Sequence, residues 1–431
     1  MFRAENQTIF DEQLAPLIVG NNAQYRKRFY IANYREFKHS FLSGVDAVVP
    51  LYPFLHDTRL VEKRTNLEQL ANVLVPQSGA ISLVQDLYQD KIREKQCLLD
   101  LVESAAIAQQ HTPMGAMAAE RFNELSATLF GTPSLQVFNQ FVQTIKAQLA
   151  VASEDDRQTD AFDRMNRLLE GEFPSTIAPF TPFAQAIDDS KPVTDAAVVV
   201  EFLRSKLAML GLSDWQVKIT PKPIGGFRVY VNKKLIRVPH SSVLRSRKND
   251  RTLTQSVMEG IFAHEILTHV IRYTNGFASP LKLLAYGLAQ YLPGEEGIAT
   301  YREQRCNGAT DYSGGTMYFA IGLAYGLDRG GVRRSFSEVF ALLCDYFAIR
   351  NHGGVRATRS KAFATCCRIF VQSPHANIPL ILTRDIVYRE GNIAILNLLA
   401  RNPSVEQSFD IGKYDPTNDG HTKALKDLGI R

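Results

Sequence analysis

Residues 262–270 read Phe-Ala-His-Glu-Ile-Leu-Thr-His-Val, with His264, Glu265 and His269 as the titratable side chains. In the related pattern H-E-x-x-H, two histidines four residues apart lie on one helix face and bind zinc, and the glutamate reaches the bound water. Here the histidines are five residues apart, which turns them by about 140° from each other in an ideal α-helix. A single turn of π-helix would return both to nearly the same face, and such turns occur mostly at functional sites. The sequence therefore predicts a π-type widening between His264 and His269.

A third metal ligand is expected from the segment Gly294-Glu295-Glu296-Gly297-Ile298-Ala299, which opens another predicted helix. Glutamates in a first helical turn are also favoured by the helix dipole, so a purely structural role is the alternative. In one class of zinc peptidases the third ligand is a glutamate on the helix that follows the histidines. Glu296 is the expected ligand, because Glu-x-x-Ala begins there. Glu295 is the alternative ligand, or else a carboxylate that lies behind the ligands or faces solvent.

Two imidazoles and one carboxylate leave the fourth position of zinc open for water, which is typical of catalytic sites. Zinc lowers the pKa of that water to about 7, and Glu265 is expected to accept its proton as general base. The oxyanion that forms needs an electrophilic partner. The predicted activity is peptide hydrolysis that uses one Zn²⁺ ion per chain.

The rest of the chain predicts an α+β fold that is mostly helical. Apolar residues recur at helical spacing up to about residue 170, which predicts a helical N-terminal subdomain over residues 1–175. Prolines predict a linker over 176–193, and the zinc peptidase domain would span 194–431. Alternating apolar residues after Trp215 predict a small antiparallel sheet, with a hairpin around Gly225-Gly226 and a further strand ending at Pro239. By analogy with other zinc peptidases, this last strand, Arg237-Val238-Pro239, is expected to be an edge strand that pairs with substrate.

The net charge is only +5 and no run of five basic residues occurs, so a nucleic-acid or membrane partner is not expected. The nearest cluster, Arg245, Arg247, Lys248 and Arg251, is interpreted as a solvated loop, with attraction to acidic peptides as the alternative. No secretory signal or membrane-spanning stretch is visible, and the five cysteines lack metal-site spacing. A cytoplasmic location is expected, with export by a route that lacks a classical signal left open.

Three motifs together resemble one known family. They are His264-Glu265-Ile-Leu-Thr-His269, Glu295-Glu296-Gly297-Ile298-Ala299 and Thr383-Arg384-Asp385-Ile-Val-Tyr388-Arg-Glu-Gly391. The resemblance is to the microtubule-associated tyrosine carboxypeptidases and the bacterial QEGLA-motif proteins, and it covers roughly residues 196–414. It implies a gluzincin-like zinc carboxypeptidase that removes a C-terminal residue, which is tyrosine in the tubulin-directed members, with ligands at His264, His269 and Glu296. This chain has Glu295 where family members often carry glutamine.

A carboxypeptidase needs a cation for the terminal carboxylate of its substrate. Arg384 and Arg368 are the candidates, and Tyr388 is the candidate for the oxyanion, although each could instead be a salt-bridge or core residue. The expected partner is a peptide or protein C-terminus, which could be an acidic tail like that of tubulin. The alternatives are a zinc endopeptidase and a metal-binding interaction protein without catalysis. The presence of Glu265 argues against the latter, since degenerate enzymes commonly lose their base.

Overall fold

The computed structural model describes residues 25–45, 48–57, 59–74, 80–110, 112–152, 159–183, 191–221, 226–245, 253–350, 354–372 and 378–430. Most of these residues are helical, and a three-stranded sheet accompanies the helices. None of the helices in the described ranges combines the length and the apolar character that a bilayer crossing requires. The predicted α+β class is confirmed at this level.

The helices before the sheet are α1 Tyr25–Arg28, α2 Tyr34–Ser43, α3 Arg59–Val73, α4 Ala80–Ala108, α5 Pro113–Phe130, α6 Leu135–Ala150, α7 Asp160–Leu168 and α8 Ala196–Met209. The helices after it are α9 Ser241–Arg245, α10 Gln255–Ile261, the π-helix Phe262–Val270, α11 Ile271–Ala278, α12 Leu283–Tyr286, α13 Leu292–Asn307, α14 Gly315–Ala324, α15 Phe336–Ile349, α16 Val355–Ile369, α17 Ile386–Arg401 and α18 Asp419–Asp427. Short 3₁₀ turns occur at Val231–Lys233, Thr383–Asp385 and Pro403–Ser408.

The sheet consists of β1 Gln216–Ile219, β2 Arg228–Tyr230 and β3 Leu235–Val238, in the spatial order β1-β3-β2. β1 runs parallel to β3 and β2 runs antiparallel to it, so the prediction of an all-antiparallel sheet is wrong. The hairpin joins β2 to β3 through the turn Val231–Lys233, and β1 and β2 are not paired with each other. A period of two predicts which residues share a face of the sheet, but it does not determine the neighbours of a strand.

The position of β3 also corrects the expected substrate strand. β3 is central and hydrogen-bonded on both sides, so the stretch Arg237-Val238-Pro239 does not offer a free edge to substrate. Ile236 and Val238 alternate toward the core, and both are buried. The edge strands are β1 and β2, and β2 packs against the π-helix.

A compact apolar core connects the sheet to the π-helix. Val217, Ile236 and Val238 from the inner sheet face share one buried cluster with Ile266 and Val270. Burial of such side chains stabilises a fold by about 1.5–3 kcal/mol each. This packing directs the opposite face of the π-helix, with its histidines, away from the sheet.

The larger core draws on both halves of the chain. Phe138 of α6 stacks on Phe319 of α14 with ring centroids 5.8 Å apart, and Phe37 of α2 packs on Phe363 of α16 at 5.0 Å. One buried cluster includes residues from both the N-terminal helices and the helices that follow residue 281. The described parts of the expected linker, 176–183 and 191–193, form no helix or strand. The division into domains stays a prediction.

The helices α13 and α17 are in close contact at two glycines. A Cβ atom added to Gly297 would lie 2.4 Å from the carbonyl oxygen of Gly391, and one added to Gly391 would lie 2.1 Å from that of Pro293. Only glycine permits the two helices to approach this closely. As a result, the residues that begin α17 lie next to those that follow Pro293 on α13.

Candidate metal centre and active site

The two histidines project from the π-helix Phe262–Val270, so the predicted widening is confirmed. Their ring centroids lie 5.2 Å apart. The hydroxyl of Thr268 donates to the carbonyl oxygen of Ala263, five residues earlier, at 3.0 Å. Ile266 and Val270 are buried on the other side of the same helix. The apolar residues therefore fix the rotation of the helix, and the wider turn aligns the imidazoles.

Glu296 faces both imidazoles from α13. Its Oε2 atom lies 3.8 Å from Nε2 of His264 and 3.8 Å from Nε2 of His269. Within the described residues, this buried oxygen has no hydrogen-bond partner. One ligand atom from each of the three residues lies within 4.8 Å of the others. Imidazole nitrogens and a carboxylate oxygen are ordinary zinc ligands, so this donor set fits a divalent cation.

Each histidine is oriented by a carboxylate on its outer nitrogen. Nδ1 of His264 lies 2.8 Å from Oε2 of Glu303, and Nδ1 of His269 lies 2.7 Å from Oε1 of Glu295. When Nδ1 carries the proton that is donated to the carboxylate, the lone pair of Nε2 is free to bind a metal. Of the two adjacent glutamates, Glu296 therefore faces the Nε2 atoms of both histidines, and Glu295 contacts Nδ1 of His269.

Glu303 was not identified from the sequence, although a signal for it exists. It follows Glu296 by seven residues, and residues at that spacing share a face of an α-helix. A search of the helix face that bears Glu296 would have found it.

The electrostatics of the two outer carboxylates differ. Glu295 is buried, which raises its pKa, but the positive charges of Lys413 and Arg272 outweigh burial and hold that pKa well below its usual range. Burial alone would lower the pKa of His264. The hydrogen bond to Glu303 and the negative charges of Glu303, Glu265 and Glu296 outweigh burial and raise it to about 9. In the metal-free protein His264 is therefore protonated at neutral pH.

Glu265 lies on the π-helix between the two histidines, and it is half-buried. Its negative charge contributes to the raised pKa of His264, as expected for a carboxylate close to that imidazole. A carboxylate beside a metal site can accept a proton from water that enters the site.

Arg384 and Tyr388 lie on the other side of Glu296. Nη2 of Arg384 is 3.5 Å from Oε1 of Glu296, and Nη1 donates to Oδ1 of Asp385 at 3.0 Å. The guanidinium lies 5.8 Å from the ring centroid of Tyr388 and is hydrogen-bonded to that side chain. Burial, followed by the charge of Glu296, raises the pKa of Tyr388, so its phenol is neutral at physiological pH.

Arg368 also contacts Asp385, and it is more exposed to solvent than Arg384. Its guanidinium forms a bidentate ion pair with the carboxylate of Asp385 through Nε and Nη2, and Nη2 lies 3.0 Å from Oδ1. Its side chain is 53% exposed, whereas that of Arg384 is 8% exposed. The structure therefore joins the two predicted arginines through the shared carboxylate of Asp385, with Arg384 next to Glu296 and Arg368 facing solvent.

The family model of the microtubule-associated tyrosine carboxypeptidases matches residues 242–415. No curated protein and no solved structure matches the chain. The matched segment contains the π-helix, the helix α13 that bears Glu296, and the start of α17. Over residues 242–415 the chain is therefore similar to the microtubule-associated tyrosine carboxypeptidases, which supports the resemblance found in its three motifs.

Proposed function

We propose that this chain is a zinc-dependent carboxypeptidase with a gluzincin-like catalytic domain, which removes a single C-terminal residue, such as tyrosine, from a peptide or protein. His264, His269 and Glu296 would hold the ion, and Glu265 would act as general base. The observation that carries this proposal is the buried Oε2 of Glu296, which lies 3.8 Å from both Nε2 atoms and has no hydrogen-bond partner in the described residues. The name of the matching family supports the type of reaction.

The chemistry divides between the ion and the side chains around it. Zn²⁺, when bound, supplies the Lewis acidity that peptide hydrolysis requires. The carboxylate of Glu265 accepts a proton from the attacking water and passes it to the leaving amine as the peptide C–N bond breaks. The neutral phenol of Tyr388 donates a hydrogen bond to the oxyanion that develops on the scissile carbonyl.

The terminal carboxylate of the substrate needs a nearby excess of positive charge. Arg384 and Arg368 share one carboxylate, Asp385, so this trio carries one net positive charge beside Tyr388. Arg384 is also close to Glu296, whereas half of the Arg368 side chain is exposed. We infer that the pair receives the substrate carboxylate, with Arg368 as the accessible member.

The distribution of charge supports an acidic substrate. Residues 215–252 contain ten lysines or arginines and one aspartate, which is nine net positive charges in a chain whose total is +5. The strand register aligns Lys218, Arg237 and Arg228 on neighbouring strands, and like charges in such positions repel. None of the ion pairs between described residues involves these three side chains. Of the basic cluster noted in the sequence, Arg247, Lys248 and Arg251 lie outside the described residues.

The test uses three peptides with the full-length protein and zinc. The first has glutamates before a free C-terminal tyrosine, the second is its C-terminal amide, and the third replaces the glutamates with lysines. Mass spectrometry should find loss of the tyrosine alone from the first peptide, no cleavage of the amide, and weaker cleavage of the third. The preference for glutamate should fall as salt is raised, since exposed charges are screened. Internal cuts, or equal cleavage of the amide, would identify an endopeptidase, and no cleavage despite bound zinc would support the non-catalytic alternative.

A further inference from the structure

Glu295, which supports His269, is itself held by two buried cations. Its Oε2 accepts a hydrogen bond from Nη1 of Arg272 at 2.7 Å, and its Oε1 lies 3.0 Å from Nζ of Lys413. The same Oε1 also faces Nδ1 of His269. The carboxylate is 2% exposed, so its partners are these protein groups and not bulk water. Both oxygens are therefore committed to donors.

Arg272 anchors this arrangement to the C-terminal part of the chain. Its side chain is completely buried, its Nε donates to the carbonyl oxygen of Gly412 at 2.8 Å, and its Nη2 donates to that of Tyr414 at 2.6 Å. Lys413, between these two residues, is held by backbone hydrogen bonds with Leu284 and Leu288. Residues 412–414 thus bring the second cation to Glu295.

The other histidine has a different kind of support. Glu303, behind His264, has a side chain that is 36% exposed, and no lysine or arginine forms an ion pair with it in the described part of the chain. The two histidines are chemically equivalent, but the carboxylates that contact their Nδ1 atoms have different environments. One is buried and charge-compensated, and the other is partly solvated.

We propose that Glu295, Arg272 and Lys413 are positioning residues that fix the orientation of His269, so that the metal affinity of this chain depends on a glutamate at position 295. A glutamine there would have one accepting oxygen and one donating amide group. If the oxygen accepted from His269, the amide would face the guanidinium of Arg272, and the reverse orientation would set a donor against the imidazole. A buried cation that loses its counter-charge is strongly destabilising. The inference rests on the proposed metal site.

The experiment compares Glu295→Gln with Glu303→Gln. Both variants change a carboxylate that faces Nδ1 of a ligand histidine, but only the first leaves buried cations uncompensated. Changes behind a metal ligand typically cost 10–100-fold in metal affinity. Competition with a chelator should give a loss of zinc affinity of about that size for Glu295→Gln, and a loss at least about tenfold smaller for Glu303→Gln. Equal losses in the two variants would overturn the proposal.

Two further measurements separate metal positioning from general stability. The rise in melting temperature on adding zinc should shrink more in Glu295→Gln than in Glu303→Gln, and an unchanged rise would contradict the proposed role. If Glu295→Gln does not fold, Lys413→Met serves in its place, with Lys423→Met, an exposed lysine of α18, as control. Zinc should dissociate several times faster from Lys413→Met than from Lys423→Met, and equal rates would refute the inference. Failure of the wild-type protein to bind zinc would instead refute the proposed function.

Discussion

Replacing Gly297 with alanine should disturb the site without changing a candidate ligand. The new Cβ would lie 2.4 Å from the carbonyl oxygen of Gly391, about 1 Å closer than the 3.4 Å at which ordinary contacts begin. It would also lie 2.8 Å from Cγ1 of Ile395. Because the nearest atom belongs to helical backbone, α13 and α17 must separate.

The change in the free energy of unfolding is the sum of two opposing effects. Overpacking costs about 1–3 kcal/mol, whereas alanine in place of a helical glycine contributes up to about 1 kcal/mol in its favour. We expect a net loss of about 1–2 kcal/mol in the free energy of unfolding. Since Glu296 adjoins Gly297, a separation near 1 Å would also displace the carboxylate, and misplacement of that size can lower turnover by about 100-fold.

Gly260→Ala is the matched control. It is also a helical glycine that faces α13, but a Cβ there would meet Cγ of Glu303 at 3.4 Å and Cβ of Asn307 at 3.7 Å, which are ordinary contacts. The control should be neutral or stabilising by up to about 1 kcal/mol. Urea unfolding of the zinc-free proteins and turnover of the acidic peptide measure the two effects. Equal stability and turnover in wild type and Gly297→Ala, or equal damage in both variants, would refute the reasoning.

Three further predictions concern the reaction, the affinity for zinc and the stability of the metal-free fold. Glu265→Gln should lower turnover by at least about 100-fold, because the general base is lost. Elemental analysis should still find one zinc per chain. Retained turnover would mean that another group is the base. Zinc binding must displace the proton from His264, whose pKa is raised to about 9, so affinity measured by chelator competition should rise about tenfold per pH unit from pH 7 toward 9. The same shift stabilises the metal-free fold fully below the ordinary pKa of about 6.5, and this contribution should be lost as pH rises through about 9. A flat pH profile for both quantities would contradict the charge environment derived for His264.

The spacing of His264 and His269 was sufficient to predict a π-helix, because only a widened turn puts residues five apart on one helix face. The alternation of apolar residues likewise predicted three strands. These are local properties, since they depend on the periods of helix and strand and not on distant residues. The order β1-β3-β2 was not predictable in this way, because strand neighbours are selected by packing across the sheet.

The groups that contact the candidate ligands could be identified only from the tertiary structure. The sequence made Glu296 the expected ligand and kept Glu295 as the alternative. Adjacent residues on a helix differ in direction by about 100°, so the groups that each carboxylate meets depend on the fold. Lys413 reaches Glu295 across more than a hundred residues of sequence, and Arg368 and Arg384 are joined by Asp385. Such pairings follow from the three-dimensional path of the backbone, which no local pattern encodes. Sequence by itself therefore determined the chemistry of the three candidate ligands, whereas the fold decided which groups orient them.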